Sequence, residues 1–422
     1  MIPGGLSLAA YGTLRMPLAF IELPLYVLLP SLYGGTLGMR LGTVGAVLFG
    51  ARLLDAVADP WIGATMDRHR HRFGHRRWIG VGLPCLALGF TAMLLPPVEG
   101  AALGVWLAAT STLTCLAYSV VSIAYQAWGA GIGVTSVERA RVTAVRETFG
   151  LAGVLGASAL LTPAQAPLLV AAFIALSIMG RLAMSAAPRT RETAAEGAAG
   201  PSPWRETVGR SSARWLLGAF LINGIATAIP ATLVLFFVRD VLASDDRTAT
   251  LFLGAYFLTG AAGMPLWVIA ARKVGLRNAW LLGISCSVLA FAWALGLGRG
   301  DTTAFLAVCL LTGLALGSDL AMPAAILATV IADAGHSGRR EGTYFGAWNL
   351  ATKLSLAAAA GLALPLLEWL GYSPGTGDRS LELALVYAGL PCLLKLIAGA
   401  LLLLAPLPEP VPGPRTAIGA DR

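Results

Sequence analysis

Of the chain's 422 residues, 57% are apolar and only 12% charged, with a mean hydropathy of +0.74. Soluble domains carry about 25% charged residues, so this composition excludes the two or three soluble domains that the length would otherwise suggest. The net charge of +8 sits mainly in loops, which makes it a topology signal and argues against a nucleic-acid partner.

A bilayer core is crossed by about 20 apolar residues. In chain order, runs of that kind predict twelve helices at 7–33, 41–66, 78–97, 102–132, 142–163, 165–187, 214–239, 248–271, 278–298, 302–332, 343–370 and 381–406. The expected fold is an all-α membrane protein of two pseudo-symmetric six-helix bundles, 1–187 and 214–406, joined by a linker at 188–213 and followed by a tail at 407–422. The N-terminus lacks the basic stretch of a cleavable signal. Cys85, Cys115, Cys286, Cys309 and Cys392 all fall in apolar runs without CxxC spacing, so they read as small buried hydrophobes.

Sorting the 30 Lys and Arg residues by loop gives 20 on one side, 5 on the other and 5 within helices. Positive charge favours the cytoplasm, so both termini and the linker are expected there, with the chain spanning the cell (inner) membrane several times. Asp67, Arg68, Gly74, Arg76 and Arg77 around the 2–3 loop, with Arg139 and Arg141 in the 4–5 loop, form the expected cytoplasmic gate. The halves echo one another: Gly74 pairs with Gly275 at an offset of 201, and Phe149-Gly150 with Phe345-Gly346 at 196. Parallel six-helix repeats are an arrangement of secondary transporters, which bind solute between the halves near mid-membrane.

Ionisable residues inside a membrane cost at least about 2.5–3.5 kcal/mol each and mark paired or functional positions. The bases are Arg15, Arg52, Arg146, Lys353 and Lys395, and the acids Glu22, Asp55, Asp59, Glu147 and Asp319; five against five predicts mutual pairing. Arg52, Asp55 and Asp59 share one face of the second helix. Two carboxylates one turn apart do not both stay ionised in a dry interior, which suits them to bind a cation or hold a proton, unless Arg52 merely neutralises one and locks helices together. Glu22, in the first helix with Arg15 on the same face, and Asp319, before Pro323 in the tenth, are further protonation candidates or packing ion pairs. At the internal offset of 197, Asp319 corresponds to Ser122, which predicts that it faces the cavity from the other half. Lys353 is a candidate counter-ion for a carboxylate across that cavity. Gly150, Gly153 and Gly156 form a small-residue stripe for close packing. Tyr118, Tyr125, Trp128, Tyr344 and Trp348 flank the cavity and either pack or stack on a solute. His69, His71 and His75 lie among five arginines, which disfavours a metal, and no P-loop, GxSxG or HExxH is present. The DxxxD of the second helix also fits an embedded prenyltransferase holding a magnesium diphosphate, but the second acidic cluster such an enzyme needs is missing.

The stretch ARLLDAVADPWIGATMDRHRHRFGHRRWIG at 51–80, with ERARVTAVRETFG at 138–150 and GRREGTYFGAWNLATKL at 338–354, resembles the glycoside-pentoside-hexuronide cation symporters, the melibiose permease family of the major facilitator superfamily. The resemblance implies that Asp55 and Asp59 bind the coupling cation beside Arg52, that Arg146 is the cavity arginine of helix five and that Lys353 is the lysine of helix eleven. The sequence departs from the family where Ala19 and Ser122 replace two sugar-gripping aspartates and Gln126 replaces a tryptophan. Glu22, one turn beyond Ala19, is a substitute for the first.

The expected function is symport of a small solute, a sugar or glycoside, coupled to H⁺ or Na⁺. Asp55, Asp59, Arg52 and Asp319 are assigned to the cation, and Glu22, Arg15, Ser122, Tyr125, Gln126, Arg146, Trp348 and Lys353 to the solute. An organic anion or a lysophospholipid-like amphiphile is the alternative cargo. A membrane enzyme acting on a diphosphate lipid is the alternative class. A monomer in the bilayer is expected, with no cofactor or metal beyond the coupling ion.

Overall fold

The computed structural model describes residues 4–70, 72–160, 163–188, 209–372 and 380–407. Most of the linker, the tail and His71 lie outside the described residues. The first helix, α1, is built from Gly5–Gly12, Arg15–Pro30 and a π-helical turn Ser31–Thr36. It is followed by α2 (Leu41–Arg68), α3 (His75–Leu94), α4 (Ala102–Ala130), α5 (Ser136–Ser158) and α6 (Ala166–Ala183). The second half comprises α7 (Ser211–Phe236), then α8 and α9, which share Asp246–Ala292 and are separated at Gly275, α10 (Thr302–Asp333) and α11 (Glu341–Trp369). Helix α12 runs through Ser380–Ala384, Leu385–Gly389 and Leu390–Leu404. Gly275 has φ of 82°, a left-handed conformation that glycine adopts without a Cβ clash, which lets a six-residue basic loop turn the chain between two spans.

One departure from the predicted boundaries is at α5, which begins at Ser136 rather than 142. Thr135 Oγ1 accepts from the Glu138 backbone N–H at 3.2 Å, and the Glu138 carboxylate accepts from the Thr135 N–H at 3.1 Å. This reciprocal capping box satisfies donors that an open helix end leaves bare, so the helix starts among charged residues that an apolar-run reading passes over.

Among the described residues, eight stretches are long and apolar enough to cross a membrane, and together they cover every span except α1, α2 and α5. Those three carry seven of the ten charged residues placed within the spans, Arg15, Glu22, Arg52, Asp55, Asp59, Arg146 and Glu147. Large apolar side chains on the outer surface, among them Phe49, Trp61, Leu88 and Leu289, form the face that lipid covers. Cys85 and Cys286, expected to be buried, are exposed on that surface, because a membrane helix keeps its outer face apolar as well.

In the first half α1 packs on α5, α3 on α4, and α2 on α4; in the second, α7 packs on α11 and α12, and the α8–α9 hairpin on α10. The glycine stripe of α5 serves the first of these contacts. A Cβ at Gly153 would overlap the Met16 carbonyl, and one at Gly150 would lie 3.0 Å from Arg15 Cγ. The halves meet along α2–α11, α4–α11 and α5–α10.

Candidate functional site

Asp55 and Asp59 lie one turn apart in the middle of α2 and are 4% and 0% exposed. The Lys353 ammonium reaches them from α11 in the other half, 2.5 Å from Asp55 Oδ2 and 2.7 Å from Asp59 Oδ2. It also donates to Ser119 Oγ on α4 at 2.8 Å, and Ser119 donates to Asp55 Oδ1 at 2.6 Å. Asp59 Oδ1 has no hydrogen-bond partner among the described residues. Two carboxylates and a hydroxyl therefore surround one cationic centre. Arg52, which the alternative reading has neutralising one of the two, donates to the Leu25 carbonyl on α1 at 3.1 Å, and an ammonium from across the interface enters between the carboxylates. That approach depends on Gly346, where a Cβ would lie 2.6 Å from the Asp59 carbonyl oxygen.

A second charged network joins α1, α4 and α5. Tyr118 donates to Glu22 Oε1 at 2.6 Å, and Arg15 Nη1 donates to the same oxygen at 2.9 Å. Arg15 Nε then reaches Glu147 Oε2 at 3.4 Å, and Arg146 Nε holds Glu147 Oε1 at 2.7 Å. Exposure falls along the network: the Glu22 and Arg15 side chains are 36% and 21% exposed, Glu147 and Arg146 only 9% and 8%. Glu22 and Arg15 are thus the accessible end of the network. Tyr118 and Ser119 are consecutive on α4, so one helix holds both clusters.

Toward the linker side the halves are bolted together. The Asp67 carboxylate, at the end of α2, accepts from the backbone N–H groups of Gly342 and Thr343 at 2.8 and 2.7 Å and from Thr343 Oγ1 at 2.6 Å. These are the unpaired donors of the α11 N-terminus, where the helix dipole favours an anion. A Cβ on Gly342 would lie 2.5 Å from the Gly63 carbonyl oxygen, so the two helices touch backbone to backbone. Arg139 donates to Thr329 on α10 at 3.1 Å, and Gln126 links Ser122 at 2.8 Å to Asn349 of α11 at 2.9 Å.

Of the expected gate residues, Asp67 and Arg139 thus bridge the halves. Arg76 and Arg77 bond within the first half, to the carbonyls of Ala187 and Arg72, and Arg76 also covers the Trp128 ring. Gly74 caps α3. Arg68 is exposed and Arg141 half-buried, and neither takes part in a described bond between halves.

Several residues expected at the solute or cation are elsewhere. Asp319 does not face the first half: it pairs with Lys395 at 2.6 Å and accepts from Trp280 Nε1 at 2.9 Å, while Lys395 also donates to Asn223 at 3.1 Å. These partners lie on α12, α9 and α7, and turn the carboxylate into the core of its own half. There it borders an aromatic-lined cavity of about 100 Å³. Tyr125 is 1% exposed and braces α1, donating to the Tyr11 carbonyl at 2.9 Å while Tyr11 donates back at 3.2 Å. Trp348 stacks on Phe220 with ring centres 3.5 Å apart. Ser122 and Gln126 are consumed by the bridge to Asn349. The structure nevertheless pairs all five acids within the spans with bases, as the balance of charge predicted.

Ser119, Asn349 and Thr343 were not singled out from the sequence. Ser119 carries a hydroxyl among apolar residues, an insufficient signal by itself, and Asn349 lies one turn before Lys353. Gly342-Thr343 at the start of a helix, with an acid ending α2, is a readable anion-at-N-terminus pattern.

Twelve helices in two halves, meeting around buried charges at mid-membrane, define a membrane transporter of the major facilitator fold. The family model for MFS/sugar transport proteins matches residues 8–409, and the chain belongs to that family. The inner membrane symporter YicJ of Escherichia coli (strain K12) is 33% identical over 133 residues, 31% of this chain and 29% of that protein. The putative glycoside/cation symporter YagG of the same strain is 28% identical over 159 residues, 36% of this chain and 34% of that protein; each alignment thus spans about a third of the relative's length. The mouse (Mus musculus) sphingosine-1-phosphate transporter MFSD2B is 22% identical over 409 residues, 87% of this chain and 82% of that protein. Among solved structures, a bacterial homologue of the iron transporter ferroportin in an outward-facing state superimposes with a TM-score of 0.70 at 15% identity, covering 96% of this chain and 99% of that one. The transporter FucP in its outward conformation gives 0.65 at 12% identity, covering 93% and 98%. These likenesses show the fold. The matched proteins are transporters, and the reading of the chain as an enzyme on a diphosphate lipid is set aside.

Proposed function

We propose that the chain is a cation-coupled symporter of a sugar or glycoside that works by alternating access, with its termini in the cytoplasm and the monomer as its working unit. The observation that carries this reading is the Lys353 ammonium of one half held between Asp55 and Asp59 of the other. It occupies the position of a small cation and ties the halves together at mid-membrane. When a proton neutralises one of the two carboxylates, Lys353 keeps a single charged partner in place of two and that tie is weakened. Ser119 reports the change to its neighbour Tyr118, which holds Glu22 in the solute network. Carboxylates, guanidinium groups and a phenol in a charge-balanced cluster suit the hydroxyls of a sugar.

The coupling ion we assign is H⁺. Two carboxylates one turn apart in a buried site do not both stay ionised without a positive partner, and a proton satisfies either one alone. The bolted linker side corresponds to an outward-facing state with the cytoplasmic gate closed. Uptake of a panel of radiolabelled methyl glycosides into proteoliposomes checks the reading: an inward H⁺ gradient drives it and a protonophore abolishes it, while an Na⁺ gradient without H⁺ does neither. The similarity to a sphingosine-1-phosphate transporter over most of the chain supports a lysolipid-like amphiphile as the second reading, and lysolipid uptake without glycoside uptake would favour it.

A further inference from the structure

We infer that Glu147 sets the charge selectivity of the solute site, by holding the α1–α4–α5 network electrically neutral so that it accepts an uncharged glycoside and refuses the matching uronide. The inference rests on the reading of the solute as a sugar. Four ionised groups form the network: Glu22 and Glu147 against Arg15 and Arg146.

Glu147 sits at its centre. Its Oε1 contacts both Nε and Nη2 of Arg146 at 2.7 Å, and its Oε2 contacts Arg15 Nε at 3.4 Å. Arg146 is buried, and Glu147 is its carboxylate partner among the described contacts. Arg15 is held on both sides, by Glu22 through Nη1 and by Glu147 through Nε. The protein's own carboxylates therefore already fill the two guanidinium positions that would otherwise recognise an anionic sugar. A solute carboxylate entering here finds no uncompensated cation and meets Glu22, the most exposed member, as a like charge. Guanidinium groups bind carboxylates strongly when free to do so, so Glu147 acts as a resident competitor. The coupling cation is received by Asp55 and Asp59, outside this set, and loading it leaves the network's balance intact.

Matched ligand pairs test this: methyl β-D-glucoside with methyl β-D-glucuronide, and methyl β-D-galactoside with methyl β-D-galacturonide. They are measured by competition binding to purified protein and by uptake. The wild type prefers the neutral member of a pair. In Glu147→Gln the uronide gains affinity by about tenfold or more, the scale of one hydrogen bond to a charged group, and the order reverses; Glu147→Asp keeps the wild-type order. Should Glu147→Gln fail to fold, Arg15→Gln gives the opposite imbalance. It then gains affinity for the cationic methyl 2-amino-2-deoxy-β-D-glucoside while the uronide stays excluded. A folded Glu147→Gln that keeps the neutral preference, or loses both members without gaining the uronide, overturns the inference alone. So does an Arg15→Gln protein with no gain for the amino sugar. A wild type that binds no member of either pair overturns the glycoside reading itself.

Discussion

Lys353 behaves as a cation that the chain carries with it. Without it, Asp55 and Asp59 face each other buried and uncompensated, and one of them must take up a proton or metal cation permanently. Lys353→Ala is therefore expected to keep the fold but lose concentrative uptake by at least about tenfold, a coupling term of ~1.4 kcal/mol, measured as the ratio of accumulated to external solute. Asp319 should behave differently because Lys395, Trp280 and Asn223 hold it inside its own half. Removing one partner of a buried pair costs about 3–5 kcal/mol. Asp319→Asn should thus lower thermal stability while leaving the cation-to-solute stoichiometry unchanged, and Asp319→Leu with Lys395→Leu should recover much of the loss. A changed stoichiometry in a stable Asp319→Asn protein would contradict this placement. At this scale the sequence showed which residues matter better than it showed which ones meet. Asp55, Asp59 and Lys353 were legible because charge in a membrane helix is costly. The partner of Asp55 was legible in part: Lys353 was expected to pair with a carboxylate across the cavity and does so, but the spacing to Arg52 fixes only a helix face and did not say which carboxylate the ammonium meets. The internal repeat matched Asp319 to Ser122 along the chain, but an offset of a few residues rotates a helical side chain from cavity to core.

Among the elements, the contact of α2 with α11 decides which side of the molecule is shut. Gly63 and Gly342 let the backbones touch, and Asp67 caps α11 from the opposite half. Gly63→Ala would drive a methyl group into the Gly342 carbonyl, so it should shift the population toward opening on the linker side. Labelling of a cysteine introduced at Ser122 by a linker-side, membrane-impermeant thiol reagent should accelerate; an unchanged rate would exclude this contact as the gate. Asp67→Asn should act in the same direction and more weakly, losing about 0.3–1 kcal/mol of charge–dipole attraction. The α5 boundary carries its own check, since Thr135→Ala removes one side of the capping box and should cost about 1 kcal/mol in thermal unfolding. That box, Thr135-x-x-Glu138, was readable in the sequence. It lies among charged residues outside any apolar run, and the charges that α1, α2 and α5 carry make them the least apolar spans although they hold most of the site.

For the whole molecule, twelve spans and a division into halves followed from apolar length, loop charge and the weak internal repeat. What did not follow was which end of the interface is closed, because closure depends on backbone approach at Gly63, Gly342 and Gly346 that composition does not record. With the linker side shut and Lys353 bridging the halves, cation and solute are expected to enter together and to leave only when both clusters are satisfied. Comparison of wild type and Asp59→Asn in proteoliposomes, for the methyl glycoside the wild type accepts, tests this most directly. The account predicts that Asp59→Asn retains solute counterflow but no longer accumulates solute against its gradient when an inward H⁺ gradient is imposed. Accumulation by Asp59→Asn equal to that of the wild type would contradict it.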